Sequence, residues 1–338
     1  MSSGMIPAQP EKILRALGQV WTSLGKEERQ QGQPTVLRAC AMTLIIITDE
    51  EDEDSISATQ TLVELMQAHP SRAIVLRGDS SAENGLAARV FAQCWKPFGK
   101  AQQICCEQIE VSASPERWLE VGPTILGIIV PDLPVVVWCR LKSAFRPKGK
   151  ISNAGLENLL ELATKSIVDT RGAKFEDALV VLADWMTSGR LIADLEWTRL
   201  TRWRETIATV FEEEPAASVR SRVDNVEIGY DGDTLPASAL YMGGWLGRAI
   251  KARPSFHREK GLEPGLTRVS MKAPDLEITL SRVASTCLRV KIGEQEHQVS
   301  LGSGSLYELM HEELTVLGSD PVFSDVFVRA GGLLRDAA

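Results

Sequence analysis

Apolar residues at positions 13, 14, 17, 20, 21 and 24 recur at helical spacing, so an amphipathic helix opens the chain, and the polar run 26–34 reads as a linker. The run 41–48 (AMTLIIIT) is continuously apolar and β-branched, the signature of a strand buried on both faces. A helix over 57–68, with Leu62, Val63, Leu65 and Met66 inward, and a strand at 73–76 complete a β-α-β pattern. Segments 86–95 and 103–111 flank the turn residues Pro97, Phe98, Gly99 and Lys100 and suggest a hairpin added to the sheet; the first segment is also compatible with a helix. Further on, a helix is expected over 115–129, kinked near Gly122-Pro123, then strands at 134–139 and 166–169 around a helix at 155–163, and a helix at 175–186. Strands alternating with helices predict a doubly wound, mostly parallel sheet.

From about residue 215 the pattern changes. A strand is expected over 219–228 and a helix over 236–250. Short alternating runs at 267–271, 276–281, 287–292 and 297–301, with no helix between them, predict an antiparallel meander, and helices at 305–316 and 321–330 follow. The expected fold class is α/β: an N-terminal doubly wound, mostly parallel sheet domain, then a smaller α+β domain with an antiparallel meander. The expected divisions are an N-terminal helix and linker (1–34), an α/β domain (35–213) and an α+β domain (214–338).

A length of 338 residues suits two cores rather than one, and 44% hydrophobic with 24% charged residues is ordinary for a globular chain. The formal net charge of −8 opposes a nucleic-acid partner, which selects an excess of Lys and Arg. No run of apolar residues is long enough to span a membrane and no secretory signal is visible, so a cytoplasmic protein is expected. Cys40, Cys94, Cys105, Cys106, Cys139 and Cys287 lack CxxC spacing. Adjacent strand residues face opposite ways, so Cys105 and Cys106 cannot pair simply, and no structural disulfide is expected anywhere in the chain.

Motifs for chemistry are sparse. The chain has no GxxxxGK[ST] loop, and no GxGxxG follows the first buried strand; Thr48 instead runs into the acidic block 49–54, which reads as a solvated loop. Gly302-Ser303-Gly304 could hold an anion at a helix N-terminus, but reads first as a turn and cap. The four histidines are scattered without metal-ligand spacing. Asp169 ends a strand where α/β sheets bind ligands, with no partner base or nucleophile nearby in sequence, so a structural or capping role is favoured. The chain is therefore read as having no catalytic residues, no metal and no cofactor.

The most distinctive segment is DLEWTRLTRWRE, beginning at Asp194. On one helix, Trp197, Leu200, Trp203, Ile207 and Val210 form an apolar stripe, and Arg199 and Arg202 share another face. Tryptophans beside arginines make either an interface anchor or a phosphate clamp, or else a core helix whose arginines reach out to water. The candidate partner- or anion-binding residues are Arg199, Arg202, Arg204 and Asp194, with Trp197 and Trp203 as a structural signature.

This segment resembles the most characteristic motif of the glucose-6-phosphate dehydrogenase assembly protein (OpcA) family. RACAMTLIIITD, HPSRAIVL, ICCEQIEV, VPDLPVVVWC, SIVDT, ASALYMGGWLGRAI and SLYELMHEEL agree with that family in order, from about residue 35 to 330. The resemblance implies a non-catalytic partner of glucose-6-phosphate dehydrogenase that aids its assembly or activation. The alternative, from the residues themselves, is an enzyme or sensor binding a sugar phosphate or nucleotide at the C-terminal edge of the parallel sheet, near Asp49 and Asp169.

Overall fold

The computed structural model describes residues 4–30, 36–48, 53–78, 85–99, 102–141, 144–145, 153–250 and 252–337. The chain forms two compact units, the first made of Met1–Val168, Asp184–Ile192 and Glu313–Gly318, the second of Asp169–Ala183, Ala193–Glu312 and Ser319–Ala338.

The first unit is built from β1 (Ile6–Pro7), α1 (Pro10–Gln30), β2 (Leu37–Arg38), β3 (Met42–Thr48), α2 (Glu53–Ala68), β4 (Ser71–Gly78), β5 (Leu86–Trp95), β6 (Ile104–Ala113), α3 (Val121–Leu126), β7 (Val135–Cys139), α4 (Asn153–Glu161) and β8 (Lys165–Val168). Two further elements, α5 (Phe175–Thr187) and β9 (Ile192–Asp194), each have residues in both units. Across the sheet the strands run β1, β5, β6, β4, β3, β7, β8, β9, with β2 beside β6. Strands β6, β4, β3, β7 and β8 are parallel, and β5 is antiparallel to β6. All seven residues of β3 are buried, because it lies between β4 and β7 and both its faces are covered. The acidic segment expected to follow it falls outside the described residues at Asp49 to Asp52, as do the side chains of Glu53 and Asp54.

The buried carboxylate of Glu107 on β6 organises one side of this sheet. It accepts from Arg72 Nε at 2.6 Å and Trp21 Nε1 at 2.6 Å and pairs with Arg38 at 2.8 Å, tying β4, α1 and β2 to β6. Trp21 thus docks the first helix, which continues through Gln30, beyond the point where the polar run suggested a linker; the rest of that run, 31–34, is outside the described residues. The polar residues 26–30 have ordinary helix propensity, so polarity alone did not end the helix.

The hairpin is formed by two strands, and its register corrects the expectation about thiols. Cys94 stands directly opposite Cys105, and the two are joined in a disulfide. The alternation that separates Cys105 from Cys106 is present, but it is the cross-strand neighbour that bonds. Cys106 is buried and free, its thiol pushed up to about 11 by burial. The 115–129 segment is also reshaped: Pro115–Glu120 is a 3-10 turn, and the α-helix spans only Val121–Leu126.

The second unit contains α6 (Leu195–Thr198), α7 (Thr201–Val210), α8 (Ala216–Val219), β10 (Asn225–Asp231), α9 (Ala237–Ala249), β11 (Pro254–Arg258), β12 (Gly265–Ala273), β13 (Leu276–Ala284), β14 (Cys287–Ile292), β15 (Gln295–Ser300), α10 (Leu306–Thr315, its last three residues in the first unit) and α11 (Pro321–Ala337). Its sheet order is β11, β10, β12, β13, β14, β15; β12 to β15 form the expected antiparallel meander, β10 joins it antiparallel to β12, and β11 adds a parallel edge to β10. The strand expected over 219–228 begins later, at Asn225, because Ala216–Val219 and Arg220–Arg222 are helical turns. Val269, Met271, Ile278, Leu280, Leu288 and Val290 alternate into the core. Gly244 lets α9 approach α11 closely: a Cβ there would stand 3.0 Å from the Val326 carbonyl oxygen.

Peptide mapping without reduction should recover Cys94 linked to Cys105, with Cys40, Cys106, Cys139 and Cys287 alkylated. Reduction should lower stability by about 2 to 3 kcal/mol, the scale for a short closed loop. Alkylation of both Cys94 and Cys105 in the unreduced protein would contradict this pairing.

Candidate functional site

The Asp194 segment is not one helix. Asp194 caps α6, a turn at Arg199 and Leu200 interrupts the path, and α7 starts at Thr201. Asp194 draws the local backbone into this shape, because its side chain takes the Glu196 N–H at 3.0 Å and stops the strand β9 from continuing. The expected apolar stripe survives the break: Trp197, Leu200, Trp203, Ile207 and Val210 are all buried.

Asp194 itself has 0% exposure. Its Oδ1 accepts the Thr170 N–H at 3.1 Å and the Glu196 N–H; its Oδ2 accepts the Thr170 hydroxyl at 2.6 Å and the Tyr241 hydroxyl at 2.7 Å. Burial pushes this carboxyl up to about 7, against the opposing pull of the Thr170, Glu196 and Tyr241 donors. Asp194 is therefore an interior anchor, and no surface remains from which it could touch a partner or an anion.

The three arginines have three different fates. Arg199 grips Asp169 with both terminal nitrogens, at 2.8 Å each, and donates to Glu196 at 2.9 Å; its side chain is 15% exposed. Burial works against its charge, but the Asp169 hydrogen bonds and the charges of Asp169, Glu196 and Asp194 outweigh that and raise its pKa. Arg204 lies over the Trp197 ring, 3.6 Å from the centroid, and donates to Thr201 at 2.9 Å. Arg202 is the outward one, 64% exposed and paired at 2.8 Å with Glu205, itself 54% exposed. Arg199 and Arg202 both line the cleft of the second unit, the first held inward by Asp169 and Glu196 and the second open to water.

Trp197 donates to Asp320 at 2.9 Å and packs against Tyr241 and Phe323, with centroids at 6.4 and 5.9 Å. Trp203 is fully buried, and the Arg282 guanidinium lies 6.0 Å from its ring. Asp169 serves the structural role, accepting the Arg171 N–H at 3.1 Å as well as Arg199. The glycine-serine loop is a turn and cap: Gly302 and Gly304 have φ of 75° and 60°, Ser305 accepts the Glu308 N–H, and Glu308 accepts the Gly304 N–H.

Around this core the second unit has a cleft of about 400 Å³, walled in part by Arg171, Arg199, Glu196, Glu263 and Arg282, with Tyr307 stacked on His311 (centroids 5.6 Å apart) on its lining. Arg171 and Arg282 both pair with Glu263. Sequence reasoning missed Thr170, Arg171, Tyr241, Glu263 and Arg282. Thr170 and Arg171 are neighbours and the other three come from separate stretches, and only Thr170 and Tyr241 fall inside segments already noted, SIVDT and ASALYMGGWLGRAI.

A mostly parallel sheet in one unit and an antiparallel sheet carrying a charged cleft in the other define a protein of the two-unit α/β class. An oxidoreductase from Sinorhizobium meliloti shares this fold with a TM-score of 0.50 at 11% identity, covering 89% of this chain and 96% of that one. Levoglucosan dehydrogenase in complex with NADH and levoglucosan aligns with a TM-score of 0.47, also at 11% identity, over 90% of this chain and 96% of that one. Within that class, the chain belongs to the OpcA family: residues 63–184 match the N-terminal domain, and residues 190–327 the C-terminal domain, of what the family models describe as a glucose-6-phosphate dehydrogenase subunit. Proteins provisionally named OxPP cycle protein OpcA are similar to it. That of Nostoc punctiforme is 26% identical over 63% of this chain and 44% of its own length; that of Synechocystis is 25% identical over 70% and 51%. The chain spans about half the length of these curated relatives. No described helix is long and apolar enough to cross a membrane.

Arg199→Ala would strand Asp169 and leave Glu196 only the more distant Arg171, and should cost about 3 kcal/mol or more in urea unfolding, whereas Arg202→Ala should change stability by less than about 1 kcal/mol. Equal effects of the two changes would refute this division of roles. Trp197→Ala should cost about 3 to 5 kcal/mol as a cavity substitution.

Asp194 also imposes a pH dependence. The folded state keeps this proton up to about 7, whereas the ordinary value is 3.8, so the group's contribution to stability is lost as the pH rises between those values. Melting temperatures of Asp194→Asn measured across that window should fall less with rising pH than those of the wild type. An unchanged slope would show that Asp194 does not hold the proton.

Proposed function

We propose that this chain is a non-catalytic partner of glucose-6-phosphate dehydrogenase, an assembly factor or allosteric activator serving the oxidative pentose phosphate pathway in the cytoplasm. The observation that carries the reading is that matches in both halves of the chain are to domains described as parts of a glucose-6-phosphate dehydrogenase subunit. The naming of the cyanobacterial relatives as OxPP cycle proteins supports the pathway.

The chemistry of the parallel sheet supports a partner over a dehydrogenase. In an open sheet of this kind, ligands sit at the carboxyl ends of the strands where the strand order reverses, here between β3 and β7. The sequence that follows β3 is Asp49-Glu50-Glu51-Asp52-Glu53-Asp54, six acids and no glycine. A pyrophosphate needs close backbone approach and a complementary field, and this sequence offers neither.

Within the tryptophan-arginine segment the roles divide. Arg202 is the residue proposed to touch the dehydrogenase, since a solvated pair with Glu205 can be exchanged for a carboxylate on the partner at little cost. Asp194, Arg199 and Arg204 hold that segment in shape from behind, with Trp197 and Trp203 as its packed base.

Steady-state kinetics of the dehydrogenase from the same organism, measured with and without this chain, test the reading. The expected result is a change in kcat/KM or in the dehydrogenase's assembly state that saturates with added chain. Arg202→Ala should weaken that saturation about tenfold or more, about 1.4 kcal/mol, with an unaltered melting temperature. Unchanged kinetics and assembly at micromolar concentrations of both proteins would end the proposal, and so would NADP turnover by this chain alone.

A further inference from the structure

We infer that Arg171 and Arg282 form a seat for a small oxyanion, a phosphate ester or a carboxylate, and that the carboxylate of Glu263 fills this seat in the structure. The two guanidiniums take different oxygens of one carboxylate: Arg171 Nη2 donates to Oε2 at 3.0 Å and Arg282 Nη1 donates to Oε1. Two positive charges therefore face one negative charge, on the wall of the cleft of about 400 Å³. Planar donors arranged on both sides of a carboxylate are the geometry by which proteins recognise carboxylates and phosphates.

The seat is anchored at Arg282 and at the backbone of Arg171, whose side chain is itself 44% exposed. Arg171 follows Thr170, whose N–H and hydroxyl are both fixed by buried Asp194, and its own N–H is fixed by Asp169. Arg282 lies on β13, is 19% exposed and faces the Trp203 ring. Burial, with the neighbouring charge of Arg171, holds its pKa below the ordinary value against the opposing pull of Glu263 and Glu196. Its buried Nε has no acceptor among the described residues, so Glu263 leaves one donor of this guanidinium unmatched.

Glu263 sits in the connection between β11 and β12, beside the 64% exposed Leu262, and its own side chain is 33% exposed. Its partners among the described residues are these two arginines. A ligand oxyanion entering the cleft can replace it while Glu263 turns to water. The cleft gives such a ligand further polar neighbours in Arg199 and Glu196 and a stacked ring surface in Tyr307 and His311. This inference concerns a small ligand and stands independently of the proposed protein partner.

The test is calorimetric titration of the full chain with inorganic phosphate and, separately, with malonate, with glucose as the uncharged control. An internal competitor makes an unusual sign of effect: Glu263→Gln should bind the preferred anion at least tenfold more tightly than the wild type. Adding Arg171→Gln to Glu263→Gln should abolish that gain, and melting curves identify any variant that fails to fold. Arg282→Lys in the same background keeps the charge but not the fork, and should bind more weakly than Glu263→Gln alone. Tighter phosphate than malonate assigns the seat to phosphate esters, and the reverse order to carboxylates. Glu263→Gln binding both anions no better than the wild type would overturn the inference, as would undiminished binding after loss of Arg171 or equal binding of glucose.

Discussion

A carboxylate with no exposure to water must find its hydrogen-bond donors inside the protein, and Asp194 finds four of them. They come from three separate places in the chain: the Thr170 turn, the first turn of α6 and the Tyr241 hydroxyl on α9. The second unit's geometry follows from this one convergence. Thr170 places Asp169 and Arg171; capping of α6 places Glu196 and Arg199; Tyr241 brings the ring cluster of Phe175, Trp197 and Phe323 into contact. An unpaired buried carboxylate costs several kcal/mol, so the arrangement is close to all-or-none.

The charged network in front of Asp194 obeys the same logic. Asp169, Arg199, Glu196, Arg171, Glu263 and Arg282 alternate in sign, and their exposure increases outward from Arg199 to Glu263 and Arg171. The inner pairs hold the fold, because removing one partner leaves a buried charge. The Arg171–Glu263 pair is open to exchange, because both side chains reach water, whereas Arg282 stays largely buried. Structure and binding capacity therefore belong to one network at two depths.

Much of this architecture was legible in the hydrophobic pattern. The run at 41–48 became a central strand buried on both faces, the 86–111 region became a hairpin, and the alternation after 265 became a meander. Each of these signals is local, so each can be read along the chain. The disulfide was not legible, because pairing Cys94 with Cys105 requires the cross-strand register, and the Asp194 network was not, because Thr170, Asp194 and Tyr241 are brought together only by tertiary folding. The arginines show the same limit: Arg199, Arg202 and Arg204 look equivalent in sequence, but one is an interior ion pair, one is solvated and one is stacked on Trp197. Asp49, which the sequence placed with Asp169 as a possible ligand edge, lies outside the described residues.

Six acids follow β3 in the sequence, and the proposal is that this chain works through another protein rather than through a dinucleotide. Hydrogen exchange followed by mass spectrometry, with the chain alone and mixed with the purified glucose-6-phosphate dehydrogenase of the same organism, addresses that claim most directly. The account predicts added protection in peptides covering Arg202 and Glu205 on α7, and none there on adding NADP alone. Exchange that is unchanged by the dehydrogenase in every peptide, or protection by NADP of the peptides that follow Thr48, would contradict it.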